Sequence, residues 1–334
     1  MVIMLKSKKW KALALGLTAL AVTGALFGCG SEKAAKQKNV KIGIVQLVEH
    51  NALDAANKGF VDGLASKGYK EGENVEFDRQ NAQADQSNLQ NIAQRFVNNK
   101  MDLICAIATP AAQAVANLTK DIPITATAVT DYEQAKLVAS NDAPKGNVTG
   151  TTDMNPVKEQ IDLLLKLVPN AKTIGTVYCS SEVNSETQVK MMKTYAESKG
   201  LTVVEATVST VNDIQQAAQS LVGRVDAIYE PTDNIIASAM PTLVAITNPA
   251  KIPVICGEPN MVKAGGLATY GVDYYKLGFQ TGEMAADILA GKTKPESMPI
   301  QSLKEMSLTT NETNAKLLGI TIPEDMLKAA ALVK

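Results

Sequence analysis

The sequence predicts an α/β protein built as two similar lobes, and three observations predict it. Short apolar runs alternate with stretches of helical spacing from Val40 onward. That alternation restarts near residue 156. Removal of a 28-residue leader leaves 306 residues, too many for one compact core and suited to two.

The leader carries Lys6, Lys8, Lys9 and Lys11 and has no acid before Glu32. Residues 12–27 (ALALGLTALAVTGALF) are apolar or small throughout. A membrane span needs about 20 such residues, so this shorter run after a basic stretch reads as an export signal over 1–28. It closes on Leu26-Phe27-Gly28-Cys29, which resembles a bacterial lipobox whose cysteine becomes acylated; Phe27 is bulkier than the usual residue there. Acyl chains contribute about 0.8 kcal/mol per buried CH2, enough for a multiply acylated Cys29 to hold the chain on a membrane. Residues 29–39 then supply the lipidated cysteine and a polar, flexible tether.

The first lobe opens with KIGIVQLV (41–48), a continuous apolar run expected of a strand buried on both faces. Leu53, Ala56, Phe60 and Leu64 give helical spacing to 52–68, which Gly68 ends. A strand over 74–81 and a helix over 87–100 follow, the latter with Leu89, Ile92, Phe96 and Val97 on one side. Residues 101–108 read as a strand, 110–120 as a helix with Pro110 in its first turn, and 122–130 as a strand. The second series has helices over 156–169, 184–200, 212–223 and about 235–246. Its strands fall over 173–179, 202–208, 226–231 and 252–258. Repeated βα units imply parallel sheets covered by helices. Residues 267–292 (strand, loop, long helix) and 300–320 (strand, last helix) exceed what the second lobe needs, which predicts a chain that crosses back to the first lobe and returns.

The precursor has net charge −1, and loss of four leader lysines leaves about −5. A mildly acidic surface argues against nucleic acid as a partner. Beyond Cys29 the cysteines are Cys105, Cys179 and Cys256, each in an apolar, strand-like run. An odd number so widely spaced suits buried small side chains better than disulfides or a metal site. No metal and no cofactor are expected. No HExxH, GxSxG or Walker sequence occurs, no GxGxxG follows the first strand, and His50 is the sole histidine, so the chain does not read as an enzyme.

Several segments in order carry a family resemblance: IGIVQLVEHNALDAANKGFVDGL, TPAAQAVAN, VTGTTD, YEPTDN and GVDYYKLGFQTGEMAADIL. Over about 41–327 the chain resembles the substrate-binding lipoproteins of ABC transporters related to the tryptophan/tyrosine importers of Gram-positive bacteria. The family usually has proline where this chain has Asn51. The resemblance implies a class I periplasmic-binding-protein-like fold, two Rossmann-like lobes joined by a three-segment hinge. The hinge crossings are expected near 148–152, 270–274 and 303–307. Lobe 1 would then comprise 40–149 plus 274–304, and lobe 2 would comprise 150–273 plus 305–334. The resemblance also implies an aromatic amino acid as ligand, and an ABC permease with its ATPase as partners. The protein is expected as a monomer on the extracytoplasmic face of the cell membrane.

In open α/β sheets ligands bind beyond the carboxyl ends of strands, where helix N-termini present unpaired N–H groups. Two facing lobes would offer two such rims. Thr109, read as a helix N-cap, with Ala111 and Ala112 is the candidate carboxylate site; Thr109 capping its own helix is the alternative. Thr130 ends the next strand, and Glu49 follows the first strand, placed to sense an amine or a ring hydroxyl. On the second lobe Asn184 and Ser185 either cap a helix or hold the ligand's carboxylate. An ammonium needs a carboxylate, for which Asp233, Glu258 and Asp273 are candidates; Asp273 is favoured because it lies at an expected crossing. Tyr132, Tyr178, Tyr229, Tyr270 and Tyr274 lie at strand ends, where one or two can stack on a ring. A surface sensor or adhesin on the same fold, or a binding protein for another small solute, remains the alternative, because fold does not fix function.

Overall fold

The computed structural model describes residues 39–333. The segment expected as an export signal and Cys29 therefore lie outside the described residues. No helix among the described residues is long and apolar enough to cross a membrane.

The first half runs β1 (Val40–Gln46), α1 (Asn51–Ser66), β2 (Val75–Asn81), α2 (Gln86–Asn98), β3 (Leu103–Ile107), α3 (Thr109–Leu118), β4 (Ile124–Val129) and β5 (Val148–Thr152). The second runs α4 (Val157–Leu167), β6 (Thr173–Cys179), α5 (Val183–Ser198), β7 (Thr202–Val208), α6 (Ile214–Leu221), β8 (Ala227–Glu230), α7 (Asn234–Ser238), α8 (Met240–Thr247), β9 (Val254–Cys256), α9 (Pro259–Lys263) and β10 (Ala268–Gly271). Then come α10 (Tyr274–Leu289), β11 (Gln301–Ser302), β12 (Ser307–Asn311), α11 (Glu312–Leu318), α12 (Glu324–Ala329) and β13 (Ala331–Val333).

Two sheets form, with strand orders β11-β5-β4-β3-β1-β2 and β13-β12-β10-β9-β8-β6-β7. All pairings are parallel except β10 with β12. Setting aside the late-arriving strands, the two sheets have the same order, each with its first strand between its second and third. This repeat explains the restarted rhythm of the sequence. The central strands β3, β4, β8 and β9 are buried along their whole length, as strands covered by helices on both faces must be. The outermost β2 and β7 are mostly half-buried or exposed instead.

The chain passes between the sheets three times, at 153–156, 272–273 and 303–306. Residues 148–152, expected as the first crossing, are strand β5, paired to β4; the crossing follows directly. The helix expected over 235–246 is two helices, α7 and α8, broken at Ala239. Pro241 causes the break, since it lacks an N–H and its ring crowds the preceding turn. After 300–320 the chain adds α12 and β13, the latter extending the second sheet beside β12.

The return helix α10 packs against α1 through a seam of glycines. A Cβ on Gly59 or Gly63 would run into the carbonyl oxygen of Tyr275 or Phe279, and one on Gly278 or Gly282 into that of Ala56 or Phe60. Spaced four apart, the pairs lie on facing stripes and let two backbones meet. The seam closes one side of the first lobe's core, where Phe60, Leu64, Leu277 and Ala285 are fully buried. Gly278→Ala should destabilise the fold by about 1–3 kcal/mol in urea unfolding, because backbone cannot yield to an added methyl. Gly146→Ala, with only a distant carbonyl near its added Cβ, should stay within about 0.5 kcal/mol.

Candidate functional site

The carboxyl ends of β1, β3 and β4 face those of β6, β8 and β9, and the residues following them form the rims of a cleft. His50 is the N-cap of α1, extended at φ −161° and ψ 159°, with no side-chain capping bond. Asn51 is therefore the first helical residue, a position that proline and asparagine both accept. The His50 ring reaches across instead, its Nε2 3.4 Å from Asn234 Oδ1 on the opposite lobe. Thr130 Oγ1 likewise lies 3.5 Å from Thr232 Oγ1. These contacts close the cleft around a cavity lined by Leu53, Ala128, Thr130, Asp153, Asn184 and Tyr274, with His50, Thr232, Asp233, Asn234, Ala237 and Glu258 completing the wall. The space left between these residues is small, with room for scarcely one water-sized sphere.

Three carboxylates line this cavity, and among the described lining residues there is no lysine or arginine. Two of the three are occupied by helix starts. Asp233 caps α7: Ile236 N donates to Oδ1 (2.9 Å), while Cys179 N and Ser185 Oγ donate to Oδ2 (both 2.7 Å). Glu258 caps α9, accepting from Met261 N at 2.7 Å and from Asn260 N at 2.6 Å and Nδ2 at 3.1 Å. Asp153 is different. It begins the first crossing, and each of its oxygens receives one hydroxyl: Thr130 Oγ1 at 3.0 Å and Tyr274 OH at 2.6 Å. Behind the wall, Glu182 accepts from Asn184 Nδ2 at 2.8 Å and Asn234 Nδ2 at 2.5 Å.

Burial sets the titration of these groups. It pushes Glu258 up to about 7 against the pull of its capping amides. Burial also raises Asp153, opposed by the Tyr274 and Thr130 hydroxyls, and raises Glu182 next to Asp233. His50 moves the other way, lowered to about 4 because its enclosed ring resists charging.

Of the residues expected from sequence, Thr130, Asn184, Asp233 and Glu258 come together on the cavity wall. Ser185 stands one step behind, donating to Asp233. Neither Asn184 nor Ser185 caps α5 with its side chain; Glu182 is the N-cap. Glu49 is exposed and off the wall. Thr109 is inside α3, not its N-cap; the cap is Ala108, held at φ +86°. Thr109, Ala111 and Ala112 are buried but do not line the cavity. Asp273 is exposed and caps α10 by accepting from Lys276 N at 3.1 Å, so the backbone turns it away from the cleft and its neighbour Tyr274 inward. Among the five tyrosines at strand ends, Tyr274 alone is on the wall. Tyr132 and Tyr229 spend their hydroxyls on Ala126 O and Gln160 Oε1 inside the lobes. Sequence reasoning passed over Asp153, whose signal was the VTGTTD segment.

The family model described as ABC transporter substrate binding protein matches residues 41–334. The chain belongs to that family. It is 44% identical over 327 residues to a protein named tyrosine-binding protein from Clostridioides difficile (strain R20291), covering 95% of this chain and 94% of that one. A solved domain from Streptococcus pneumonia in complex with L-Trp is 43% identical, with TM-score 0.86 over 89% of this chain and 100% of that one. A substrate binding protein with adhesive properties from Clostridium difficile, solved in a ligand-free, open structure, is 47% identical. It covers 88% of this chain and 99% of its own, with TM-score 0.68. Identity is similar in the two cases while the overlay is poorer for the open structure. The contacts of His50 with Asn234 and of Thr130 with Thr232 make this family member's arrangement a shut one.

The pH dependence has opposite signs at the two kinds of group. Glu258 keeps its proton in the fold up to about pH 7, above its ordinary 4.5, so its contribution to stability is full below 4.5 and is lost as pH rises through 7. His50 has a folded value near 4, under its ordinary 6.5, so its contribution is full above 6.5 and is lost as pH falls through 4. The melting temperature of His50→Gln relative to wild type should therefore rise as pH falls from 6.5 towards 4, read by scanning fluorimetry. A difference independent of pH would place the ring in solvent.

Proposed function

We propose that the protein captures an aromatic amino acid, tyrosine, tryptophan or phenylalanine, between its lobes and delivers it to an ABC permease driven by a partner ATPase. The observation that carries this reading is the 44% identity, over nearly the full length of both chains, to a protein named for tyrosine binding. The L-Trp complex of the streptococcal relative supports it. So does the wall itself, which combines carboxylates, hydroxyls and Asn184 with the apolar Leu53, Ala128 and Ala237 and the ring of Tyr274. Binding is reversible and no bond is made or broken. The ligand enters when the lobes part and favours closure by touching both. Of the expected residues, Thr130 and Asn184 are the ones we assign to ligand contact, and Asp233 and Glu258 to shaping the wall.

Acylation of Cys29 would hold the monomer at the extracytoplasmic membrane face, raising its effective concentration at the permease. Calorimetry of the mature domain against the common amino acids should give binding to one or more of tyrosine, tryptophan and phenylalanine without product formation. Failure of all three would sink the ligand assignment, and turnover would sink the pure-binder reading. Cys29→Ala should move the protein from the membrane fraction to the soluble one; retention on the membrane would refute the lipid anchor. The adhesive properties of the clostridial relative favour a second reading as a surface adhesin. Adherence of protein-coated beads to host cells, with and without bound amino acid, tests it.

A further inference from the structure

The cavity wall is short of donors. Asn184 is 3% exposed, its amide nitrogen donates to Glu182 and to Thr232 O, and its Oδ1 is left without a donor. Those two bonds fix which way the amide points, so the orphan is an acceptor. Asp153 is equally buried, also 3% exposed. A carboxylate offers about four lone-pair sites, and Asp153 has one hydroxyl on each oxygen. Asp233 and Glu258 each take three donors and serve their own helices. Glu182 is off the wall and is saturated by Asn184 and by the Asn234 and Ile235 amides. Asp153 is thus the wall carboxylate held by hydroxyls alone among side-chain donors and not spent on a helix start, it has a second, unsatisfied acceptor in Asn184 Oδ1 on the same wall, and the described lining residues include no lysine or arginine.

Resting on the aromatic amino acid reading above, we infer that Asp153 is the residue that reads the ligand's ammonium group, and that it does so at the hinge. An ammonium brings three N–H donors and a positive charge, which is what a buried carboxylate with spare lone pairs requires. The alternative partner at a crossing, Asp273, faces solvent. The position of Asp153 couples recognition to lobe movement. Its carboxylate joins Thr130 at the end of β4 to Tyr274 at the start of α10, so it holds the first crossing against the second. Asn155 repeats the tie, donating to Asp153 O at 2.9 Å and accepting from Val272 N at 3.2 Å. Burial, which raises the proton affinity of Asp153, points the same way: the anion gains more from a cation than an exposed carboxylate would.

The test crosses a change in the protein with a change in the ligand. Wild type and Asp153→Asn are titrated with L-tyrosine and with its des-amino analogue, 3-(4-hydroxyphenyl)propionate, and melting curves check that each protein is folded. Wild type should prefer tyrosine. Asp153→Asn should lose tyrosine affinity by about ten- to about hundredfold, the span of hydrogen bonds to charged groups, while binding the analogue as wild type does. Should Asp153→Asn fail to fold, Asp153→Ser, smaller and able to accept the same hydroxyls, carries the same expectation. The inference is overturned if a folded Asp153 variant keeps the wild-type preference for the amine, or if wild type binds the analogue as tightly as tyrosine. Failure of wild type to bind tyrosine, tryptophan and phenylalanine alike overturns instead the functional reading on which it rests.

Discussion

The burial of carboxyl groups at the mouth of the two sheets is the constraint on which the cleft depends. A buried carboxylate costs several kcal/mol unless donors surround it. The fold supplies donors where its strands end, because every helix that starts there has unpaired amides. Asp233 and Glu258 are placed on those starts, and Glu182 draws on the same supply through the Asn234 and Ile235 amides. The arrangement has a consequence for binding. Acids that serve as caps are pinned by short backbone bonds and keep the rim rigid, while the chemistry open to a ligand is left to groups that are not caps, Thr130, Asp153 and Asn184.

The same rim is held from behind by the glycine seam. His50 starts α1 and Tyr274 starts α10, and both face the cavity. Because Gly59, Gly63, Gly278 and Gly282 bring these two helices into backbone contact, neither can slide without separating the other from its neighbour. Hydroxyl bonds extend the lock inward: Thr281 on α10 meets Thr151 on β5 at 2.8 Å. The crossing at 272–273 is two residues long, so flexing is confined to a small part of the chain.

The architecture was legible in the sequence because short runs of apolar and small residues alternate with stretches of helical spacing, and both patterns are local. The repeat was legible for the same reason. Features set by distant contacts were not. Asp153 sits in a segment that reads as a polar loop, and the hydroxyls that hold it come from residues 23 and 121 positions away. Asp273 looked better on local grounds because it precedes a helix at a crossing, and preceding a helix is why it is spent as an exposed cap. Thr109 missed the cap by one residue because Ala108 adopts a positive φ that alanine seldom takes, which no local propensity foretells. Asn184, Asp233 and Glu258 were legible as strand-end polar residues, but their division into caps and free acceptors was not, since it depends on which amide each oxygen meets.

The shut arrangement carries a cost that the open one escapes. With the lobes together, Asn184 Oδ1 is buried without a donor and the buried Asp153 has one hydroxyl on each oxygen. Apart from each other, the two lobes would let water supply those donors. Closure without a cation thus works against desolvation, and closure around an ammonium does not. On the proposed amino acid reading, that difference belongs to the ligand's amine and favours the closed lobes when the amine is present. The ligand-free, open form of the clostridial relative agrees with this ordering. Aromatic burial adds affinity in proportion to the ring's area but does not by itself discriminate open from shut so sharply, because Leu53, Ala128 and Ala237 can cover one another as the lobes meet. Unfilled acceptors cannot satisfy one another. On the proposed reading, that asymmetry gives the polar end of the ligand, more than its ring, the part of signalling occupancy through the hinge.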